Sequence, residues 1–316
     1  MRAVVFDRYG DESVLGVREI AEPTPGPNEV QVRVHVASLN PIDFKLRAGL
    51  FRLLRKPRLP AITGKDFAGR ISALGVDVKG FVLGQRVFGS VNPMMGSGTC
   101  AETIVIGTDL MAATPNAISD EVAACLPVAS GTALQALETI ARLRRGQSIL
   151  IAGASGAVGS SAVQIARSMG AHITGVCSAA NASYVRSIGA DEVVDYKTSD
   201  WRSLGKTFDV IFDAAGASTF GAARRHLSPT GFYLNTFPRP SMFVTSKIIA
   251  LVSRQHSVPF MLQTNVALLR DIARLAEQQI LQPRIAQTIR LEDVATAQRH
   301  MQEGRIHGKV CVRITE

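Results

Sequence analysis

Ser148-Ile149-Leu150-Ile151-Ala152-Gly153-Ala154-Ser155-Gly156-Ala157-Val158-Gly159 decides the fold: an apolar strand runs into a glycine-rich turn and then into the helical pattern Val163-Gln164-Ile165-Ala166-Arg167. The first N–H groups of a helix have no acceptor inside it, and the helix dipole adds positive potential there, so such a turn favours a phosphate. Gly156 lets the main chain approach a pyrophosphate that a Cβ would hold off, and Gly159 lets the helix pack closely on its strand. Ala154 stands where the usual G-x-G-x-x-G has its first glycine, so the motif is A-x-G-x-x-G, a pattern that a purely structural turn also satisfies. A second strand, His172-Ile173-Thr174-Gly175-Val176-Cys177, follows one helix later. It supplies the strand–turn–helix–strand setting that a dinucleotide cradle requires.

The end of that second strand selects the nucleotide. A unit that binds NAD places Asp or Glu roughly 20 residues past the glycines, where the carboxylate accepts the ribose hydroxyls. Here the chain reads Cys177-Ser178-Ala179-Ala180-Asn181. With no carboxylate to repel a 2′-phosphate and with polar donors at Ser178 and Asn181, NADP(H) is the expected cofactor. Arg186 on the next helix lies nearby, although an arginine there reads first as a solvated face.

Working outward, strands at Glu192-Val193-Val194-Asp195-Tyr196, at Phe208-Asp209-Val210-Ile211-Phe212-Asp213 and at Gly231-Phe232-Tyr233-Leu234-Asn235-Thr236 alternate with helical stretches. Strands separated by helices imply right-handed crossovers and a parallel sheet, whose ligands bind beyond the carboxyl ends of the strands. Ala214-Ala215-Gly216 and Asn235-Thr236-Phe237 are thereby expected beside the cofactor. A Pro-bearing strand, Ser257-Val258-Pro259-Phe260-Met261-Leu262, is expected at the sheet edge, where a second copy would pair.

The first third is β-rich. Val30, Val32, Val34 and Val36 alternate with Gln31, Arg33 and His35, the period of a half-buried antiparallel strand, and closely spaced glycines suit a small curved barrel. His35 falls on the polar side of its strand. Ser119 caps a helix with Asp120 and Glu121 in its first turn, and Asn265 caps another with Leu268, Leu269, Ile272 and Leu275 on one face. The tail, Lys309-Val310-Cys311-Val312-Arg313-Ile314, alternates like the first third and is expected to return to it.

At 316 residues the length fits two domains, and 46% hydrophobic residues supply a substantial core. No apolar run reaches the roughly 18 residues of a membrane span, and Met1 to Asp7 lacks a signal-peptide core, so a cytoplasmic protein without a membrane partner is expected. Cys100, Cys125, Cys177 and Cys311 show no metal-ligand spacing and read as reduced thiols. The net charge of +9 raises nucleic acid as a partner, but outside residues 52–58 the basic residues are scattered, and aromatic content is only 6%. An anionic cofactor accounts for the charge more economically.

Several stretches together resemble the medium-chain dehydrogenase/reductase superfamily, specifically its zinc-free NADPH:quinone oxidoreductase (zeta-crystallin-like) branch. They are Asn40-Pro41-Ile42-Asp43, Leu59-Pro60-Ala61-Ile62-Thr63-Gly64-Lys65-Asp66-Phe67-Ala68-Gly69, Leu83-Gly84-Gln85-Arg86-Val87-Phe88, the glycine turn, and Gly304-Arg305-Ile306-His307-Gly308-Lys309-Val310. The resemblance implies an α/β chain: a GroES-like β-rich catalytic domain over 1–120 and 264–316, and a Rossmann doubly wound parallel-sheet domain over 121–263. The active site is expected in the cleft. Relatives that use zinc hold it at the positions of Asn40, Lys65 and Val128, and none of these offers a thiolate or a neutral imidazole, so no metal is expected.

The resemblance further implies hydride transfer from NADPH to a quinone or α,β-unsaturated carbonyl, by a homodimer. Asn40 would offer an amide donor to the developing oxyanion, Asp43 would order its surroundings and Lys45 would donate a proton; a turn at Asn40-Pro41 and a helix cap at Asp43 is the structural alternative. Phe51 stands where relatives often carry a tyrosine. Thr132 would position the nicotinamide end, and Ser155, Gly156, Ala157 and Val158 the pyrophosphate. Ser178, Asn181 and Tyr196 would surround the adenosine phosphate, and Lys309 would reach the pyrophosphate from the tail. Asn181 stands where relatives often have lysine. A non-catalytic NADPH-binding structural or redox-sensing protein is the reading from another class.

Overall fold

The computed structural model describes residues 1–50, 59–91, 98–237 and 240–315. Phe51 and the basic run 52–58 lie outside the described residues. The chain divides into one unit made of Met1–Val128 with Thr264–Glu316 and another made of Ala129–Gln263.

The first unit begins with β1 (Arg2–Phe6), β2 (Gly16–Glu19), β3 (Glu29–Leu39), α1 (Pro41–Arg47), β4 (Ala61–Ile62), β5 (Asp66–Leu74), β6 (Arg86–Ser90), β7 (Thr103–Gly107), β8 (Met111–Ala113) and α2 (Asp120–Cys125). The valine alternation forms the inner face of β3, where Val30, Val32 and Val34 are fully buried against Phe67, Val87 and Val312. Burying such side chains is worth about 1.5–3 kcal/mol each, which makes β3 the spine of this unit.

The expected division after residue 120 falls later in the structure, after Val128. The reason is the seating of α2. Ser119 Oγ accepts the Val122 N–H as an N-cap, and the next residue, Asp120, bridges His35 Nδ1 at 2.7 Å and Arg86 Nη2 at 2.6 Å, binding the helix to β3 and β6. Burial pushes the Asp120 carboxyl up, but the bonds from Arg86 and His35 outweigh it and hold the group below the usual range. His35 is therefore a structural partner of a carboxylate on α2.

The second unit contains most of α3 (Pro127–Leu134), then β9 (Ser148–Ala152), α4 (Ala157–Ser168), β10 (His172–Cys177), α5 (Ala182–Ser187), β11 (Glu192–Asp195), β12 (Phe208–Asp213), α6 (Phe220–Ala223), β13 (Leu227–Asn235), α7 (Pro240–Val252) and β14 (His256–Pro259). Among the described residues, six strands pair in the order β11-β10-β9-β12-β13-β14, and each pair is parallel. This is the doubly wound order, with its switch point between β9 and β12. The expected edge strand is shorter than its sequence pattern because β13 ends at Asn235, opposite Pro259, and residues 260–262 have no strand to pair with. α7, absent from the sequence reading, is apolar around much of its circumference and lacks a helical stripe that periodicity would reveal.

The chain then returns to the first unit through α8 (Val266–Glu277), β15 (Ile285–Arg290), α9 (Val294–Gln302) and β16 (Lys309–Arg313). Asn265 Oδ1 accepts the Leu268 N–H at 2.9 Å, and Leu269, Ile272 and Leu275 are buried on one face of α8. β16 lies antiparallel on β3 and parallel to β15, so the alternating tail joins the N-terminal sheet. The observed folds are the expected GroES-like β-rich domain and Rossmann parallel sheet. Among the described residues, no helix is long and apolar enough to cross a membrane.

Candidate functional site

In the second unit, β9 ends at Ala152, and the left-handed residue of the turn is Gly153, with φ of +77°. That resolves the irregular motif: the tight turn is made one position before Ala154, which is free to carry a Cβ. Ala154 is fully buried, and a Cβ on Gly175 of β10 would stand 3.1 Å from its own. A Cβ on Gly159 would lie 2.1 Å from Gly153 O, so α4 packs directly on the turn. A Cβ on Gly156 would meet only Gly153 O, at 3.3 Å, so the surface above the start of α4 is open. The first-turn residues Ala157 and Val158 present their amides where a helix offers no internal acceptor. This cradle fits a dinucleotide pyrophosphate, with Ser155, Gly156, Ala157 and Val158 at its rim.

At the end of β10, Ser178 and Asn181 are brought together, with Asn181 Nδ2 donating to Ser178 Oγ at 3.2 Å. Tyr196, just past β11, is 61% exposed, and its N–H donates to Cys177 O at 3.2 Å, which places it beside the same strand end. Thr132 is buried on α3. Gly216, with φ of +67°, lies where a Cβ would stand 3.0 Å from the Phe237 ring, and Thr236 N donates to Asp213 O at 3.4 Å.

The residue that holds this end of the sheet, Asp213, escaped the sequence reading. It is fully buried at the end of β12, where Oδ1 accepts Ala215 N at 3.2 Å and Ala217 N at 3.1 Å. Oδ2 accepts Ser218 N at 2.8 Å, Tyr233 Oη at 3.1 Å and Asn235 Nδ2 at 3.3 Å. Burial and the neighbouring Asp213 carboxylate push the Tyr233 phenol well above its ordinary value, against the bond from Asn235, which lowers it, so it stays a neutral donor. The signal for Asp213 was available: an acid closing an apolar strand immediately before Ala-Ala-Gly.

The first unit contains a buried ionic cluster. Lys309 Nζ donates to Asn40 Oδ1 at 2.8 Å, Leu39 O at 3.3 Å and Asp66 Oδ2 at 3.3 Å, three acceptors for three hydrogens. The structure therefore corrects the expectation that Lys309 reaches a pyrophosphate: its ammonium is buried and bound within its own unit. Asn40 is also committed, since Nδ2 donates to Asp66 Oδ2 at 3.0 Å and to Ser38 O at 3.5 Å, and only 3% of the residue is exposed. The oxyanion-donor role expected of Asn40 has no amide hydrogen left to serve it. Asp43 takes the cap role, its Oδ2 accepting the Asn40 N–H at 2.7 Å at the start of α1.

Two acids, Asp43 and Asp66, and two lysines, Lys65 and Lys309, balance this cluster. Lys65 Nζ donates to Val91 O. Burial pushes the Asp43 carboxyl up to about 7 against the attraction of Lys65, and burial pulls Lys65 down to about 7 against the attraction of Asp43 and Asp66. Asp43 Oδ1 and Asp66 Oδ1 are buried without a hydrogen-bond partner. Lys45, on α1 and half-buried, is lowered by desolvation.

Residues 26–125 match the family described as alcohol dehydrogenase GroES-like domain, and residues 188–312 the family described as zinc-binding dehydrogenase. The chain is 35% identical over 273 residues to a chloroplast envelope quinone oxidoreductase homolog of Arabidopsis thaliana, covering 83% of each chain. It is 30% identical to the mitochondrial NAD(P)H oxidoreductase RTN4IP1 of Bos taurus, covering 99% of this chain and 89% of that one. Its structure is similar to that of the quinone oxidoreductase from Coxiella burnetii, with a TM-score of 0.92 at 27% identity over 100% of this chain and 99% of the other. The cradle, the strand order and these likenesses describe an NAD(P)H-dependent oxidoreductase. The chain belongs to the medium-chain dehydrogenase/reductase superfamily, as a member of its zinc-free quinone oxidoreductase type.

Proposed function

We propose that the chain reduces quinones or α,β-unsaturated carbonyls with NADPH and without zinc. The observation that carries the reading is the open surface above Gly156 at the switch point of the sheet, where Gly153 turns the chain and α4 begins. Bound there, a nicotinamide dinucleotide supplies a hydride. Ser155, Ala157 and Val158 hold the pyrophosphate with main-chain donors above Gly156, whose own N–H is bound to Gly153 O at 2.9 Å, and the Asp213 network fixes the 214–218 loop at the neighbouring strand end. Ser178 and Asn181 receive the 2′-phosphate. Arg186, exposed on α5, acts on the Cys177 thiol as a nearby positive charge and adds a cation at that strand end. Thr132 and Thr236 orient the nicotinamide end.

The zinc-free reading rests on the chemistry of the donor set. Asn40 is bound at both ends of its amide, and Lys65 and Lys309 bring ammonium groups to positions where a dication would be repelled. A quinone or enone spreads the charge left by hydride over a conjugated system, so orientation and donors replace a Lewis acid. Lys45 is the proton donor in this scheme, since its lowered affinity brings it closer to neutral pH, while Asp43 holds α1 in place.

The reading also places a second copy along β14, an outer strand of the six-stranded sheet, giving a homodimer. The deciding experiment incubates the protein with NADPH and either a naphthoquinone or a short enone. Nicotinamide absorbance falls with at least one acceptor; tight NADPH binding without acceptor-dependent oxidation would instead favour a structural or redox-sensing role.

A further inference from the structure

We infer that Cys125 and Cys311 form a reversible dithiol/disulfide site that hydroperoxides oxidise and dithiol reductants reset. The two Sγ atoms lie 3.3 Å apart although the residues are separated by 186 positions, so only the fold makes them a pair. Cys125 is the last residue of α2, and Cys311 sits in the middle of β16. A disulfide brings sulfurs to about 2.05 Å, a closure of roughly 1.3 Å. β16 is held on both sides, by β3 and β15, so the end of α2 is the part that moves.

The two thiols are chemically unequal. The bond to Cys311, followed by burial, pushes the Cys125 thiol well up, and either sulfur can be the S–H donor between them. The same bond holds Cys311 below the ordinary thiol value against burial, helped by the Lys309 ammonium two residues earlier. In the proposed site Cys311, which shares a strand with the Lys309 ammonium, is the sulfur that attacks. Cys100 and Cys177 are pushed up by burial and serve as internal controls.

In the first step, the Cys311 thiolate attacks one oxygen of a hydroperoxide, the O–O bond breaks, an alkoxide or hydroxide leaves, and Cys311 becomes a sulfenic acid. Cys125 sulfur then attacks Cys311 Sγ, the S–O bond breaks, and the departing hydroxide takes the Cys125 proton as water. The pair of thiols gives up two electrons and the peroxide accepts them. A dithiol reductant returns both thiols by exchange. Since all four cysteines are buried, the rate follows local opening of α2.

Oxidation also reaches the ionic cluster. Ala124 O, beside Cys125, accepts Ser38 Oγ at 2.7 Å, Val128 N donates to Asp66 Oδ2 at 3.4 Å, and Lys309 precedes Cys311 on the same strand. A bridge that pulls on α2 is expected to slow turnover severalfold, and this consequence rests on the proposed function.

The test treats the full chain with hydrogen peroxide, counts thiols and maps peptides by mass. The expected result is a loss of about 2 Da, a Cys125–Cys311 cross-linked peptide, two thiols remaining of four, and full return with dithiothreitol. Cys125→Ala is expected to stop at a Cys311 sulfenic acid trapped by dimedone. Should that variant not fold, phenylarsine oxide on the native chain reads the pair directly, as one arsenic bridging two sulfurs. A thiol count that stays at four, or a bridge that involves Cys100 or Cys177, overturns the site. A bridge that forms while NADPH oxidation is unchanged overturns only its link to turnover. A reduced protein with no acceptor activity counts against the proposed function and leaves the mass result standing.

Discussion

The Lys309 ammonium lies 2.8 Å from Asn40 Oδ1 and thereby ties the last strand to the residue that opens α1. Asn40 in turn donates to Asp66, which also receives Lys309, so three elements from distant parts of the chain close on one buried carboxylate. Such an arrangement is costly to open from one side, because the charge left behind stays out of water.

Lys309→Met is therefore expected to destabilise the protein by roughly 3–5 kcal/mol, since Asp66 and Asn40 lose their shared donor inside a dry cluster. Urea unfolding followed by circular dichroism measures this. A loss under about 1 kcal/mol would mean that the ammonium is better solvated than its burial indicates.

Asp43 gives stability a definite dependence on pH. An unfolded aspartate titrates near 3.8 and the folded one near 7, so between these values the native state binds the extra proton, and raising the pH removes stability. Lys65 acts oppositely: the free value is 10.5 and the folded one about 7, so stability rises as pH climbs through that window. Asp43→Asn keeps an acceptor for the Asn40 N–H and removes the charge. It is expected to flatten the decline between pH 4 and 7 and to raise stability at pH 7.5 by at least ~1 kcal/mol. Thermal melts of both proteins across that range decide the matter; parallel curves would contradict it.

Gly156 and Gly159 separate binding from folding. In Gly159→Ala the new Cβ stands 2.1 Å from a backbone oxygen, so misfolding or a melting point lower by several degrees is expected. Gly156→Ala brings its Cβ to 3.3 Å from one backbone oxygen, a much milder crowding, and should melt far closer to wild type than Gly159→Ala, yet it occupies the pyrophosphate approach. A tenfold or greater weakening of NADPH in a fluorescence titration is expected for it. Unchanged NADPH affinity would remove the pyrophosphate from this turn.

Ser178→Asp places a carboxylate at the end of β10, where it would repel a 2′-phosphate and accept ribose hydroxyls. The ratio of kcat/KM for NADPH over NADH is expected to fall at least tenfold, about 1.4 kcal/mol. A ratio that does not move would locate the adenosine phosphate elsewhere.

The amino-acid order by itself determined the two folds and the cradle. Strand alternation around Val30–Val36, the apolar run into Gly153 and the caps at Ser119 and Asn265 are local, and local periodicity records which face is buried. The tertiary structure alone decided what surrounds Asn40, Asp66 and Lys309, and which cysteine faces which. Those contacts join residues as far apart as Asn40 and Lys309, 269 positions, and Cys125 and Cys311, 186 positions, and the charges that settle their roles balance only after burial. For that reason Lys309 reads from the sequence as a reaching cation and proves to be an internal one. Asp213, one acid at a strand end, acquires its importance only when five donors converge on it.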